Sequence, residues 1–365
     1  MTLSELTAPH PLTRYGWDEG FAESFAPHAA EGLTPGRIVR VDRGRCDLVV
    51  PDGDGVRTVQ ADTALVTTGD PLRIMCTGDW AAVDLSRGFV RALLPRRTAF
   101  VRSTSSQRSE GQILAANVDH AVIASSLAVE LDLGRIERFL TLAWESGAAP
   151  VVVLTKADLV TDPVVLGHLL DDTATVSPGA RVLAVSAATG EGVDALAATL
   201  AGGTSVLLGQ SGAGKSTLAN ALVGEDVQDV HATRDSDGKG RHTTTTRNLL
   251  PLPGGGVLID TPGLRGVGLY DADSGVAQTF SEIEALAARC RFHDCGHDGE
   301  PGCAVLQAVT SGELPQRRLD SYRKLLRENE RIAARTDARL RAEMRREWKR
   351  RQAEGREMSA RKRGR

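Results

Sequence analysis

Nine consecutive residues carry the sharpest chemistry in this chain: Gly209, Gln210, Ser211, Gly212, Ala213, Gly214, Lys215, Ser216 and Thr217. They fit the phosphate-binding spacing G-x-x-x-x-G-K-[ST]. Small residues let successive backbone N–H groups turn inward around phosphate oxygens at a helix N-terminus, where the helix dipole already favours negative charge. Lys215 is then placed to reach the outer phosphates, and the Ser216 hydroxyl to ligate Mg²⁺. The flanks suit this reading: Thr204 to Leu208 is a short β-prone apolar run, and Ser216 to Val223 has helical character.

Three further stretches could complete a nucleotide site. In Thr155-Lys156-Ala157-Asp158, a carboxylate can accept from both the ring N–H and the exocyclic amino group of guanine. Adenine would leave that charge unpaired, at a cost of about 1–3 kcal/mol or more. Ser186 and Ala187 close the following strand and can offer a backbone N–H to the guanine carbonyl. Asp260-Thr261-Pro262-Gly263 combines a carboxylate able to hold a water on Mg²⁺ with a glycine N–H able to contact a γ-phosphate. Between the phosphate loop and this motif lies a polar run, Gly238 to Thr246. One of its threonines is expected to complete the Mg²⁺ shell, Thr245 first and Thr244 second. His242 precedes them, whereas Leu264, next to Gly263, has no polar atom with which to orient water.

The order of these motifs is unusual. GTPases generally run from phosphate loop to D-x-x-G to T-K-x-D to Ser-Ala, and here the last two come first. Joining the old termini and cutting elsewhere preserves the same sheet, because termini often lie close together. The sequence therefore predicts a circularly permuted GTPase.

A second chemistry follows downstream. Cys290, Cys295, His297 and Cys303 are three thiols and an imidazole that can close a tetrahedral shell around one structural Zn²⁺. His293 is a spare candidate. A redox role fits less well, because the C-x-x-C pair is missing.

These sites need positioning elements, and 365 residues with 41% hydrophobic and 25% charged content allow two or three domains. The expected division is an N-terminal extension over 1–31, an all-β OB-fold barrel over 32–100, an α/β GTPase domain over 101–272, a mainly α zinc-binding domain over 273–335 and a basic tail over 336–365. The barrel strands are read at Gly36–Val41, Cys46–Val50, Val56–Ala61, Pro71–Met75 and Asp79–Asp84, with Arg91, Arg96, Arg97 and Arg102 as a basic rim. Strands alternating with helices from about Gln112 imply a mainly parallel sheet with its ligand beyond the strands' carboxyl ends. Pro315 to Arg365 holds 19 Lys/Arg against 8 Asp/Glu, in a chain of net charge −3. A basic tail on an acidic body suggests a polyanion such as RNA. No secretory signal or membrane span is read, so a cytoplasmic, monomeric protein is expected.

Taken together, the sequence resembles the RsgA (YjeQ) family. The carriers are Gly78-Asp79-Trp80, Leu94 to Arg97, Ala115 to Asp119, the permuted GTPase motifs, Gly240 to Thr245 and the Cys3His cluster. The resemblance implies an OB-fold, a permuted GTPase domain and a zinc domain. It further implies GTP hydrolysis stimulated by the 30S ribosomal subunit during late maturation, with 16S rRNA as partner. An rRNA-binding assembly factor using GTP only as an occupancy switch is the rival reading. Thr155 stands where the family usually has Asn, which puts more of the guanine selectivity on Asp158. His242 resembles the residue proposed there to replace a water-orienting Gln.

Overall fold

A computed structural model of the chain describes residues 10–103, 111–224, 248–259 and 272–336. Its first element was not anticipated. Trp17, Phe21 and Phe25 recur every four residues, so they share one face of the helix they begin. Asp18 caps helix α1 (Glu19–Ala30), accepting from the Phe21 N–H at 3.1 Å. The three rings bury against the barrel, with Trp17 edge-on to Trp80 at 4.8 Å between centroids.

The barrel is closed, in the order β1 (Thr34–Asp42), β2 (Arg45–Asp52), β3 (Gly55–Asp62), β5 (Phe89–Leu93), β4 (Trp80–Asp84). Alternate residues Ile38, Leu48, Val50, Ala81, Val83 and Val90 fill its interior. One expected strand is wrong: Pro71–Met75 is a turn, and the fifth strand is β5. The carbonyls of Leu72 and Ile74 accept from Arg96 instead of from a neighbouring strand. Arg96 is thus drawn inward, off the expected basic rim, and Arg97 is paired with Asp18 of the N-terminal segment.

A two-stranded ribbon, β6 (Ala99–Ser103) and β7 (Gly111–Ala116), leads into a six-stranded sheet. Its elements are β8 (His120–Ser126), α2 (Leu133–Ser146), β9 (Ala149–Thr155), α3 (Pro163–Thr175), β10 (Arg181–Val185), α4 (Val193–Leu200), β11 (Thr204–Gly209), α5 (Lys215–Val223), β12 (Leu249–Pro251) and β13 (Val257–Ile259). The order is β10-β9-β8-β11-β13-β12, parallel except for the edge strand β12. Period-two alternation sends Ile123, Val152, Val206 and Leu208 to the face covered by α2, and Val122, Val153 and Leu207 to the face covered by α4 and α5.

The remaining helices, α6 (Asp273–Thr279), α7 (Ser281–Ala287), α8 (Ala304–Ser311) and α9 (Gln316–Thr336), share a separate core around Phe280, Ile283, Leu319, Tyr322 and Leu325. No helix among the described residues is long and apolar enough to cross a membrane.

Two polar joints hold these parts to the sheet. At the barrel, buried Asp79 accepts from Arg96 at 2.6 and 2.7 Å and from the Cys76 N–H at 2.8 Å. Asn117 bridges the backbone of Gly78 and Arg97, and buried Arg37 lies over Trp80 while donating to the Asn117 carbonyl and the Thr204 hydroxyl. At the helical module, Glu137 of α2 is fully buried and accepts from Arg317 at 3.0 Å, Arg318 at 2.8 Å and the Ser321 hydroxyl. Arg318 also donates to Glu282 at 2.6 Å and to the carbonyls of Thr279 and Val176. Gly275 lets α6 approach closely: a Cβ there would lie 2.2 Å from the Thr141 carbonyl.

Candidate active site and metal cluster

The phosphate loop connects β11 to α5 at the carboxyl end of the sheet. Gly209 is left-handed at φ 141, and a Cβ on it would meet the Ala124 carbonyl at 2.5 Å, so glycine is required there. Lys215 is folded over the loop, donating to the carbonyls of Gly209 at 2.9 Å and Gln210 at 2.5 Å. Its ammonium therefore sits above the same turn whose amides would face phosphate.

Parallel pairing brings the T-K-x-D and Ser-Ala residues beside that loop. Thr155 ends β9, and its hydroxyl donates to the Ala213 carbonyl at 2.8 Å, so it ties the motif to the phosphate loop. Lys156 adopts φ 60, which turns the chain so that Asp158 follows in a short 3-10 turn. Ser186 is fully buried and donates to the Asp158 carboxylate at 2.6 Å, fixing its orientation. A cavity of about 250 Å³ lies between them, lined by Thr155, Lys156, Asp158, Ala187, Gly214 and Thr217, among others. The structure thus gathers Thr155, Lys156, Asp158, Ser186, Ala187 and the loop from Gly209 to Thr217 at one end of the sheet. Asp260, Gly263, His242, Thr244 and Thr245 lie outside the described residues.

The cysteine cluster is also assembled. The ligand atoms of Cys290, Cys295, His297 and Cys303 all lie within 4.8 Å of one another. Cys290 Sγ is 3.9 Å from Cys303 Sγ, and His297 Nδ1 lies 3.6 and 3.4 Å from those sulfurs. A tetrahedron with Zn–S of about 2.3 Å has edges of about 3.8 Å, so the donor set fits Zn²⁺ in both type and spacing. Burial lowers the His297 pKa, which keeps the imidazole neutral as a ligand must be. Expected spare ligand His293 is not among these four.

Sequence reasoning missed Glu137, Arg318 and Glu300. The first two are far apart in the chain, and a charge on an amphipathic helix carries no local sign that it is buried. Glu300 sits between two expected ligands, and that position was its only signal.

A phosphate loop on a parallel sheet, with the T-K-x-D and Ser-Ala strands β9 and β10 preceding the loop's strand β11, defines a permuted P-loop GTPase domain. The chain belongs to the RsgA GTPase family, whose family model matches residues 93–270. The small ribosomal subunit biogenesis GTPase RsgA of Streptomyces avermitilis is 69% identical over 371 residues, covering 100% of this chain and 99% of that protein. Its counterpart in Streptomyces coelicolor is 70% identical over 355 residues, covering 97% and 96%. Among solved structures, YjeQ from Thermotoga maritima aligns with a TM-score of 0.60 at 25% identity, over 81% of this chain and 98% of that one. YloQ, a circularly permuted GTPase, shares the fold with a TM-score of 0.59 at 22% identity, over 82% and 95%.

Proposed function

We propose that this chain hydrolyses GTP in step with its binding to, and release from, the small ribosomal subunit during late maturation of that subunit. One observation carries the nucleotide half: the Thr155 hydroxyl joins the base-reading motif to the phosphate loop while Ser186 aims the Asp158 carboxylate into the adjoining cavity. The name shared by the relatives, small ribosomal subunit biogenesis GTPase, supports the other half. The expected setting is cytoplasmic, with 16S rRNA as the contact surface and a monomeric protein.

Residue roles follow from chemistry. Asp158 selects guanine by accepting two N–H groups, with the backbone at Ser186 and Ala187 facing the base carbonyl. The amides from Gly209 to Thr217 and the Lys215 ammonium hold the phosphates. Ser216, Thr245 (or Thr244) and a water on Asp260 would hold Mg²⁺, which would supply charge neutralisation for phosphoryl transfer. The Gly263 N–H would contact the γ-phosphate, and His242 would orient the attacking water. Cys290, Cys295, His297 and Cys303 hold one structural Zn²⁺, which stabilises the helical module.

GTP turnover with and without isolated small subunits tests both halves together. Wild-type turnover is expected to rise with small but not large subunits, and His242→Ala should keep nucleotide affinity while losing about 10-fold or more of stimulated kcat. Equal turnover in all conditions would overturn the subunit reading. A normal stimulated rate in His242→Ala would remove that residue from the mechanism.

A further inference from the structure

Three of the four cluster ligands lie on one loop, Cys295 to Cys303. One residue of its backbone is intrinsically unfavourable: His297 is left-handed at φ 55, whereas Gly299, with no side chain, takes φ 137 freely. Something beyond local propensity has to hold His297. The Glu300 carboxylate lies inside the turn, accepting from the Gly296 N–H at 2.9 Å and from those of Asp298 at 2.7 Å and Gly299 at 3.1 Å. Amides on both sides of His297 therefore converge on one anion, and hydrogen bonds to an ionised acceptor are about twice as strong as neutral ones.

The opposite side of the loop is pinned as well. Arg323 of α9 donates to the His297 carbonyl, and its guanidinium lies 3.7 Å from the Asp298 carboxylate. With its N–H neighbours held by Glu300 and its carbonyl by Arg323, the backbone at His297 is fixed on both sides. Its Nδ1 faces the Cys290 and Cys303 sulfurs. Neither Glu300 nor Arg323 supplies a donor atom to the cluster.

We propose that Glu300, assisted by Arg323, is a positioning residue for the metal: it builds the ligand loop in advance, so that the ion meets preassembled donors. This rests on the reading of the four residues as a Zn²⁺ site, but the prior assembly of the loop does not. The alternative is a solvent-exposed turn cap whose loss the metal itself would make good.

The full-length chain tests this directly. Zn²⁺ affinity, measured by competition with a chromogenic chelator, should fall about 10–100-fold in Glu300→Ala, the range found when outer partners of metal ligands are removed. Glu300→Gln, which keeps a neutral acceptor, should fall in between. Glu313→Ala, which removes an exposed carboxylate just after α8, should match wild type. In metal-stripped wild type, the amides of Gly296, Asp298 and Gly299 should remain protected from hydrogen exchange. Wild-type affinity in both Glu300 variants, or free exchange of those amides in the stripped protein, would overturn the proposal. Should Glu300→Ala not fold, Glu300→Gln and the exchange measurement still decide. If wild type takes up no Zn²⁺, the zinc reading fails by itself, and the exchange measurement alone decides whether Glu300 assembles the loop.

Discussion

The GTPase sheet is held on two sides by joints of different construction. At the barrel, buried Asp79 pairs with Arg96 and accepts from the Cys76 N–H, while Asn117 and Arg37 satisfy backbone groups, with the Trp80 ring beneath the Arg37 guanidinium. At the helical module, one buried carboxylate, Glu137, faces two arginines of α9, and Arg318 alone links α2, α9 and the carbonyls of Val176 and Thr279. Each joint buries a carboxylate–arginine pair, but Arg96 keeps 16% of its side chain exposed whereas Arg318 keeps 4%. Breaking a buried pair leaves an uncompensated charge, and the charge stranded at the module is the less hydrated of the two. The barrel joint is also backed by apolar contact, with Trp80, Ala82 and Phe100 sharing a core with Val118, Ala121 and Ile259, so the module joint is the more brittle.

That contrast can be broken in graded steps. The largest effect is expected from Arg318→Met, which strands Glu137 with Arg317 and Ser321 only. It should cost about 3 kcal/mol or more, seen as a lowered urea midpoint by circular dichroism. A loss below about 1 kcal/mol would mean that Arg317 carries the pair. Asp79→Asn comes next, at about 1.5–3 kcal/mol, because a hydrogen-bonded charge is replaced by a neutral acceptor. If it costs more than Arg318→Met, the ranking of the two joints is reversed.

The smallest effect belongs to the pair outside the barrel joint, Arg97 with Asp18. Both partners are about half exposed, so Asp18→Asn should cost no more than about 1 kcal/mol, less at high salt. The Arg97 hydrogen bond holds the Asp18 pKa below its ordinary 3.8. A depressed carboxylate stabilises the fold above its unfolded pKa, and that contribution disappears as pH falls through the folded value. Wild type and Asp18→Asn should therefore differ in melting temperature at neutral pH and converge only below about pH 3.8. A difference that grows on acidification would contradict the assignment.

Features with chain-local spacing were legible in the sequence. The phosphate loop, Thr155 to Asp158, and the four cluster residues each sit within a few residues of their partners, and the structure brings each group together. The α/β alternation was legible too, because period two and period 3.6 leave different apolar patterns. Pro71–Met75 misled because Leu72 and Ile74 alternate like strand residues, although they are 41% and 50% exposed. Helix α1 was hidden by Pro27 inside it, even though Phe21 and Phe25 carried the helical spacing. Glu137 could not be recognised at all: on an amphipathic helix a glutamate reads as solvent-facing until the arginines from the far end of the chain are known.

The distance between those partners has a consequence in time. Glu137 and Arg318 are 181 positions apart, and chains emerge from the ribosome at roughly 5–20 residues per second. For about ten seconds or more of synthesis, α2 exists without the arginines that neutralise its inward carboxylate. Strands β8, β9 and β10 can pair meanwhile, so the half of the sheet that carries Thr155 to Asp158 is made first. The outer flank of α2 stays hydrated until α9 follows. Closure of this molecule is thus a late, end-of-chain event, and a nascent protein truncated before residue 318 would carry a folded sheet with an open, charged flank.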